Sequence, residues 1–438
     1  MKPNSFELVE FLIQSLRRLK WSKAELQEYQ NKRLRSVVNS AYENVTFYHE
    51  LFKSAGLHPS DIKGVSDLDK IPVVSKRVMK KYPSEDLVSK QYSPQVLKTI
   101  STGGSTGQPF KMYINPIEDA WRKAIYLRAN ITCGQKLRDR WIAVIDPQYS
   151  SGENRVQKLL RVYYRVIVPV LLPRTLQYET VAEMNPDVLD GFPSSLSLIA
   201  KEKHSRNDDQ IRPRIIFGSG ELVDKASIDY IEKAFNAPYF DQFGCTEIDR
   251  SAWQCKERNG YHLDIDSVVT QFIDKDGEEA GMDEEGEIVY TSLFNYAFPI
   301  IRYNVEDVGV RTDDECSCGI SLPLMKVVEG RSNSYLVFPD DKVITPMRFI
   351  ELLGAFQLDE EIDQYQVIQE TRTSLKILVK KTSAKIDEEK VTKTLKSNII
   401  KGLPEVTGID RIGIEVDFVD EIPRSPRGKL NVVTSRVN

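Results

Sequence analysis

Cysteine is scarce in this chain. Five thiols among 438 residues, an odd number, do not make a disulfide framework, and reduced thiols point to the cytoplasm. An excess of one charge is missing as well: 60 basic side chains against 64 acidic ones leave a net charge of −4. A dedicated nucleic-acid binder draws affinity from a strong basic surplus, so that class is excluded. No apolar run approaches the roughly 18 residues that a membrane-spanning helix needs. The opening segment MKPNSFELVEFLIQSLRRLK mixes acidic with apolar residues and lacks a small-residue cleavage site, so no signal peptide is expected. Internal repeats and low-complexity tracts are not visible either.

What remains is an ordinary globular composition, 41% hydrophobic and 28% charged. The length suggests about two to three domains. Residues 5–56 read as helical: Leu8, Phe11, Leu12 and Leu16 recur at helical spacing, as do Leu34, Val37, Val38 and Ala41. The first of these helices carries a basic end, Arg17, Arg18 and Lys20, and packing against the protein is favoured over a membrane surface. From residue 96 short apolar runs alternate with helical stretches. VLKTI (96–100), RWIAVID (140–146), VIVPVLL (166–172), DVLDGF (187–192) and RIIFGSG (214–220) are the candidate strands, with helices over 117–130 and 223–236. This alternation predicts βαβ units and a mainly parallel sheet. Residues 265–312 are denser in strands, and a tail from Arg331 has its own alternation with a helix over 385–399. The expected architecture is α/β: a large domain over 1–330 with mixed sheets, flanking helices and a β-rich subdomain, then a small α+β domain over 331–438.

The first chemical feature is Ser101-Thr102-Gly103-Gly104-Ser105-Thr106-Gly107-Gln108-Pro109. Glycines allow positive φ and close backbone approach, and exposed N–H groups and hydroxyls suit phosphate oxygens. No Gly-Lys-Ser/Thr follows, so this is not a Walker A loop; the residues alone leave phosphate binding and a plain surface turn open. A second feature is Cys255 and His262 followed by Cys316 and Cys318. Three thiolates and an imidazole suit a closed tetrahedral zinc site, while two buried thiols and a solvated Cys-Ser-Cys turn are the other reading.

STGGSTGQP resembles the phosphate loop of the adenylate-forming superfamily of acyl-CoA synthetases, peptide-synthetase adenylation domains and luciferases. The resemblance covers nearly the whole chain. YQNKRLRSVVNSAYENVTFYHELFKSAGL and DLDKIPVVSKRVM are similar to the N-terminal region of phenylacetate–CoA ligases and their CapK-like relatives. GFPSSLSLIA (191–200), FGSGE (217–221), FGCTEID (243–249), IIRYNVEDVG (300–309), GRSNSYLV (330–337) and PRSPRGKL (423–430) follow in the family's order.

The resemblance implies attack of a carboxylate on the α-phosphate of ATP, giving an acyl-adenylate and pyrophosphate. It assigns residues 101–107 to the β- and γ-phosphates, Thr246 to the α-phosphate and Glu247 to Mg²⁺. Gly218, Ser219, Gly220 and Glu221 would flank the adenine, with Asp241, Phe243 and Gly244 also at the nucleotide. Asp307 would accept the ribose hydroxyls, Arg331 would reach ribose or phosphates, and Lys429 would be the catalytic lysine on a small mobile domain. Some phenylacetate–CoA ligase relatives carry a Cys/His zinc site in the stretch of Cys255, His262, Cys316 and Cys318, which implies structural zinc here. Cys133 and Cys245 read as bystanders, Cys245 filling the variable position of the aromatic-Gly-x-Thr-Glu motif. The implied partners are a small carboxylic acid and an acceptor, CoA first. The alternatives are an amine or hydroxyl of a sugar or glycan precursor, or a nucleotide-binding protein without catalysis; a homodimer stays open. Three departures stand out. Gln108 replaces the lysine usual in the phosphate loop, Asn333 and Ser334 replace two acids after Arg331, and FPDDKVITP (338–346) looks more like the CapK-like members than the CoA-forming ones.

Overall fold

The computed structural model describes residues 5–101, 110–149, 155–357, 362–382 and 386–437. The phosphate-loop residues 102–109 lie outside that set. The chain forms two compact units: Met1–Gly134 with Gln242–Val327, and Gln135–Asp241 with Val328–Asn438.

In the first unit the expected helical region 5–56 is three helices, Ser5–Arg18, Lys23–Asn44 and Thr46–Ser54. The break after the first has a local cause. Ser22 caps the backbone N–H of Glu25 while the Glu25 carboxylate accepts from the Ser22 N–H, a capping box that starts a new helix. Asn115 and Glu118 repeat the device at the head of helix Pro116–Thr132, with Pro116 in the first turn. Strands Val268–Ile273, Glu285–Ser292 and Tyr303–Arg311 form an antiparallel run. Strand Tyr261–Leu263 pairs antiparallel with Asp249–Trp253 on one side and with Leu324 and Met325 on the other.

The first helix packs against Pro116–Thr132, with the ring of Phe11 edge-on to Trp121 at 5.3 Å. Its basic end divides. Arg17 and Lys20 are exposed, but Arg18 is buried. The Arg18 Nε donates to Asp266 at 2.7 Å. Arg128, wholly buried, donates to both Asp266 oxygens at 2.7 and 2.9 Å and also to Asp264. Arg250 reaches Asp264 at 3.1 Å and the backbone carbonyls of Ile125 and Tyr126, and the Trp253 indole donates to Asp264 at 2.9 Å.

In the second unit, parallel strands Arg165–Pro169, Trp141–Ile145, Val188–Gly191 and Ile215–Ser219 stand side by side in that order. Helices Arg174–Met184, Pro193–Ser205 and Lys225–Phe235 alternate with them and close a core around Ile142, Val144, Leu189 and Ile216. This is the βαβ texture that the apolar runs predict. The run 96–100 differs: Lys98–Ser101 pairs with Lys111–Ile114 as a separate two-stranded hairpin in the first unit. Its residues are half-buried or exposed, which fits a ribbon and not a central strand.

The carboxyl-terminal part of this unit has its own mixed sheet in the order Gly413–Val419, Ser374–Lys381, Ile362–Thr371, Val433–Ser435. Helices Pro346–Gln357 and Glu388–Gly402 cover it, burying Leu353, Val367, Ile377, Leu395 and Ile399.

The Arg–Asp cluster yields a stability prediction. Burial alone would raise the Asp266 carboxyl, but Arg128 and Arg18 more than offset it and hold the group below the usual carboxylate range. A depressed folded-state pKa gives stability that is present above the unfolded value, about 3.9, and is lost as pH falls through the folded value. Asp266→Asn leaves buried arginines short of charge and is expected to cost about 3–5 kcal/mol at neutral pH. Denaturant melts from neutral pH to about pH 3 should show that loss and a shallower acid decline in the variant. Equal stability of variant and wild type at neutral pH would refute the assignment.

Candidate active site and metal centre

In the first unit, the backbone brings four donors together. Tyr261–Leu263 carries His262 beside Trp253, two residues before Cys255, and Cys316 and Cys318 lie on the turn that leads to Leu322 and Leu324. The donor atoms of Cys255, His262, Cys316 and Cys318 all lie within 4.8 Å of one another. The Cys255 and Cys316 sulfurs are 3.5 Å apart, and the Cys318 sulfur is 3.3 Å from the His262 Nε2. All five cysteines are free thiols. Tetrahedral zinc holds neighbouring sulfurs about 3.8 Å apart, so the spacing fits the ion. Two further features fit it. His262 Nδ1 stands 3.1 Å from the Leu322 carbonyl, and a proton donated there leaves the Nε2 lone pair facing the thiols. Burial lowers the His262 pKa, which keeps the imidazole neutral as a metal ligand must be. Burial also pushes the Cys318 thiol upward, so a cation is what would hold that sulfur as thiolate. The cluster packs on Leu19, Leu26, Ala129 and Leu322. Cys133 stays outside it, its thiol donating to the Gln254 carbonyl at 3.3 Å.

Thr246 and Glu247 sit in the turn after residues 242–245, also in the first unit. The turn is tight. A Cβ on Gly244 would lie 2.0 Å from the Asp249 carbonyl oxygen, and the strand register shifts at that point. Arg122 donates to the Thr246 carbonyl at 2.8 Å, and the Asn295 amide to the Glu247 carbonyl at 3.4 Å. The Glu247 side chain is buried and accepts the Tyr303 hydroxyl at 3.1 Å. Burial pushes the Tyr303 phenol up, and the Glu247 carboxylate beside it pushes further. Asp307 is half-buried on the strand that Tyr303 begins. Burial, then Glu247 and Asp307, raise the pKa of the intervening Cys245 thiol, which makes it a poor nucleophile. A buried carboxylate on a rigid turn is a hard donor of the kind Mg²⁺ takes.

The second unit holds Gly218–Glu221, Asp241, Arg331 and Lys429. Gly218 is required by space and Gly220 by its backbone conformation. A Cβ on Gly218 would meet the Tyr239 hydroxyl at 1.6 Å. Gly220 has φ +83°, and a Cβ there would lie 3.1 Å from the Phe192 ring and 3.2 Å from the Lys429 Nζ. Lys429 therefore lies on the turn that the sequence reading assigned to the nucleotide. Its ammonium is 5.8 Å from the Phe192 ring centre, and among the described residues it makes no ion pair. Asp241 is buried, with the Tyr239 hydroxyl at 3.4 Å, and Arg331 is exposed. Of the aromatic residues near this turn, Phe217 is wholly buried against Phe240 at 6.1 Å, and the Trp141 indole is spent on Asp190.

Sequence reasoning did not single out Arg122, Tyr303, Ser194 or Arg424. Tyr303, Ser194 and Arg424 stand inside quoted motifs, but a motif fixes position and not the partner a side chain finds. Arg122 lies on a helix far along the chain from the turn that it holds, and no local signal marks it.

Comparison with known proteins gives relatives and a fold. Residues 336–436 match the family model of the CapK C-terminal domain. The phenylacetate-coenzyme A ligase of Escherichia coli (strain K12) is 26% identical over 352 residues, which covers 76% of this chain and 79% of that protein. Protein CapK of Staphylococcus aureus is 23% identical over 435 residues, covering 94% of this chain and 90% of its own. Among solved structures, 2-hydroxyisobutyryl-CoA ligase in the postadenylation state with 2-HIB-AMP superposes with a TM-score of 0.79 at 19% identity, over 96% of this chain and 91% of that one. The chain is a relative of the phenylacetate-coenzyme A ligases and of CapK, with a CapK C-terminal domain and the fold of the adenylate-forming ligases.

Proposed function

We propose that this protein is an ATP-dependent acid ligase. It joins a small carboxylic acid to AMP, releasing pyrophosphate, and then passes the acyl group to the thiol of CoA. The observation that carries the reading is Lys429: an ammonium held beside the glycine turn Gly218–Gly220, with no ion pair among the described residues, in a chain whose relatives are named as ligases. In the first step a carboxylate oxygen attacks the α-phosphorus, and the bond to the pyrophosphate oxygen breaks. Negative charge grows on the phosphate oxygens, and an ammonium aimed there lowers the barrier. Thr246 offers a hydroxyl to the α-phosphate, and Asp307 accepts the ribose hydroxyls. Glu247 is the carboxylate that would hold Mg²⁺, a Lewis acid that neutralises phosphate charge. In the second step the thiol sulfur attacks the acyl carbonyl and AMP leaves.

Residues 101–107 are assigned to the terminal phosphates, Ser219, Asp241, Phe243, Gly244 and Arg331 to the nucleotide, and 331–438 to a domain that moves between the two steps. Cys255, His262, Cys316 and Cys318 are proposed to hold one structural zinc. All four positions are filled by protein, so no open coordination site remains for catalysis.

A second reading is favoured by one observation. Residues 336–436 match the CapK C-terminal model, and within 338–346 the segment 338–342 closes a hairpin between Leu336–Val337 and Val343–Ile344. A ligase that passes its acyl group to an amine or hydroxyl of a glycan precursor would share the first step and differ only in the acceptor.

Two measurements test these assignments. Carboxylate-dependent exchange of pyrophosphate into ATP, run across aryl, acyl and amino acids, should occur with one class of acid. Lys429→Ala should lower it by about a hundred- to thousandfold with the fold intact; a variant of undiminished rate would sink the mechanism. Metal analysis of protein purified without chelator should find about one zinc per chain, falling with Cys316→Ser together with stability. Less than about a tenth of an equivalent would discard the site.

A further inference from the structure

The loop that carries Lys429 is braced from inside. The Ser425 N–H donates to the Lys429 carbonyl at 2.9 Å and the Gly428 N–H to the Ser425 carbonyl at 2.8 Å. The Lys429 N–H donates to the Ser425 hydroxyl at 3.0 Å, and the Arg424 guanidinium to the Gly428 carbonyl at 2.7 Å. The loop also rests on the parallel-sheet part of the same unit. Gly428 has φ +76°, and a Cβ there would lie 2.3 Å from a methyl of Val170.

One side chain fastens the loop to that support. Glu221 follows the glycine turn at the end of strand Ile215–Ser219. Its Oε1 accepts the backbone N–H of Leu430, the residue after the lysine, at 2.6 Å. The same carboxylate accepts the Ser194 N–H at 3.0 Å and the Ser194 hydroxyl at 3.1 Å. Ser194 lies in the first turn of helix Pro193–Ser205, where free N–H groups and the helix dipole favour a carboxylate. Arg424 stands within 3.4 Å of the Ser194 hydroxyl, completing a chain from guanidinium to hydroxyl to carboxylate to backbone N–H. Charge-assisted hydrogen bonds of this length are the strong kind.

We infer that Glu221 is a positioning residue: it pins the backbone beside Lys429, so that the ammonium is held at the glycine turn for adenylation, and its side chain is not a ligand of the nucleotide. The inference deepens the ligase reading and rests on it. It revises the role expected for Glu221 from sequence, since the carboxylate is already engaged by three donors from Leu430 and Ser194. The turn's glycines remain free to meet the nucleotide by backbone.

The test uses the full-length protein with Glu221→Gln and Glu221→Ala. Glutamine keeps an oxygen for the Leu430 N–H but replaces the oxygen that accepts from the Ser194 N–H with a donor, so it rescues in part. The expected order of kcat for pyrophosphate exchange is wild type, then E221Q, then E221A, with a fall of about ten- to a hundredfold in E221A. The KM for ATP should stay within about twofold, which a lost nucleotide ligand would not allow. Hydrogen exchange of the peptide over 425–431, measured without nucleotide, should accelerate in the same order. A raised KM for ATP with kcat preserved would overturn the inference, as would unchanged amide exchange in E221A. If wild-type protein shows no pyrophosphate exchange with any acid while E221A still loosens 425–431, the ligase reading fails and the pin stands.

Discussion

The first unit depends on a buried patch of charge. Arg18, Arg128 and Arg250 surround Asp264 and Asp266, and no member of the group is more than 5% exposed. Each arginine comes from a different piece of chain, the first helix, the helix Pro116–Thr132 and the strand Asp249–Trp253, and both acids come from the segment that follows Leu263. Taking such charges out of water costs more than one ion pair returns, so the arrangement holds only when nearly every donor and acceptor finds a partner. That demand is geometric. A carboxylate that must meet two guanidinium groups fixes the elements carrying them far more narrowly than an apolar contact, which tolerates sliding. Trp253 joins this patch to the thiol cluster, because its indole donates to Asp264 while its ring lies 5.3 Å from His262. The placement of the proposed zinc ligands is thus inherited from the charge patch, and the metal would lock an arrangement already biased toward it.

The turn with Thr246 and Glu247 obeys a related economy. Its carbonyls are committed to Arg122 and Asn295, and the Glu247 carboxylate takes a neutral phenol from Tyr303. A phenol partner leaves the carboxylate its full negative charge, whereas a lysine or arginine there would already have neutralised it. Cys245 shows the cost of that choice. Burial first, then the charges of Glu247 and Asp307, raise its thiol pKa and weaken it as a nucleophile.

Much of this was legible in the residues, and the exceptions have definite causes. The apolar runs at 140–146, 187–192 and 214–220 became neighbouring parallel strands because a fully buried strand must be apolar on both faces. The run at 96–100 was read the same way and became half of a hairpin, since short apolar runs do not state whether the second face is covered. Arg18 was the larger surprise. At the end of an amphipathic helix it reads as a solvated charge, and its partner Asp266 is 248 positions away. Local periodicity reports which face is apolar and cannot report a distant carboxylate. The thiol cluster was legible because its chemistry is rare and its members are few. Glu221 was legible only as a position, and its partners Leu430 and Ser194 come from two other motifs.

The contact between the carboxyl-terminal sheet and the parallel-sheet part of the second unit mixes directional polar bonds with a few apolar touches. Besides Glu221 with Leu430, it includes Arg174 with Asp363 and Lys201 with the Ile362 carbonyl. Gly428 against Val170 and Leu222 against the carboxyl-terminal core are apolar touches among these. Water can replace the partners of charged and backbone groups when such a surface opens, whereas an apolar core of equal area would lose its whole hydrophobic gain. The carboxyl-terminal sheet keeps most of its apolar interior, around Leu353, Val367 and Ile377, to itself, with Leu222 of the parallel-sheet part packed against it. A surface built this way favours one seated position through a few directional bonds and can leave it at modest cost. On the ligase reading proposed above, in which 331–438 moves between the two steps, the loop of Lys429 would need that combination.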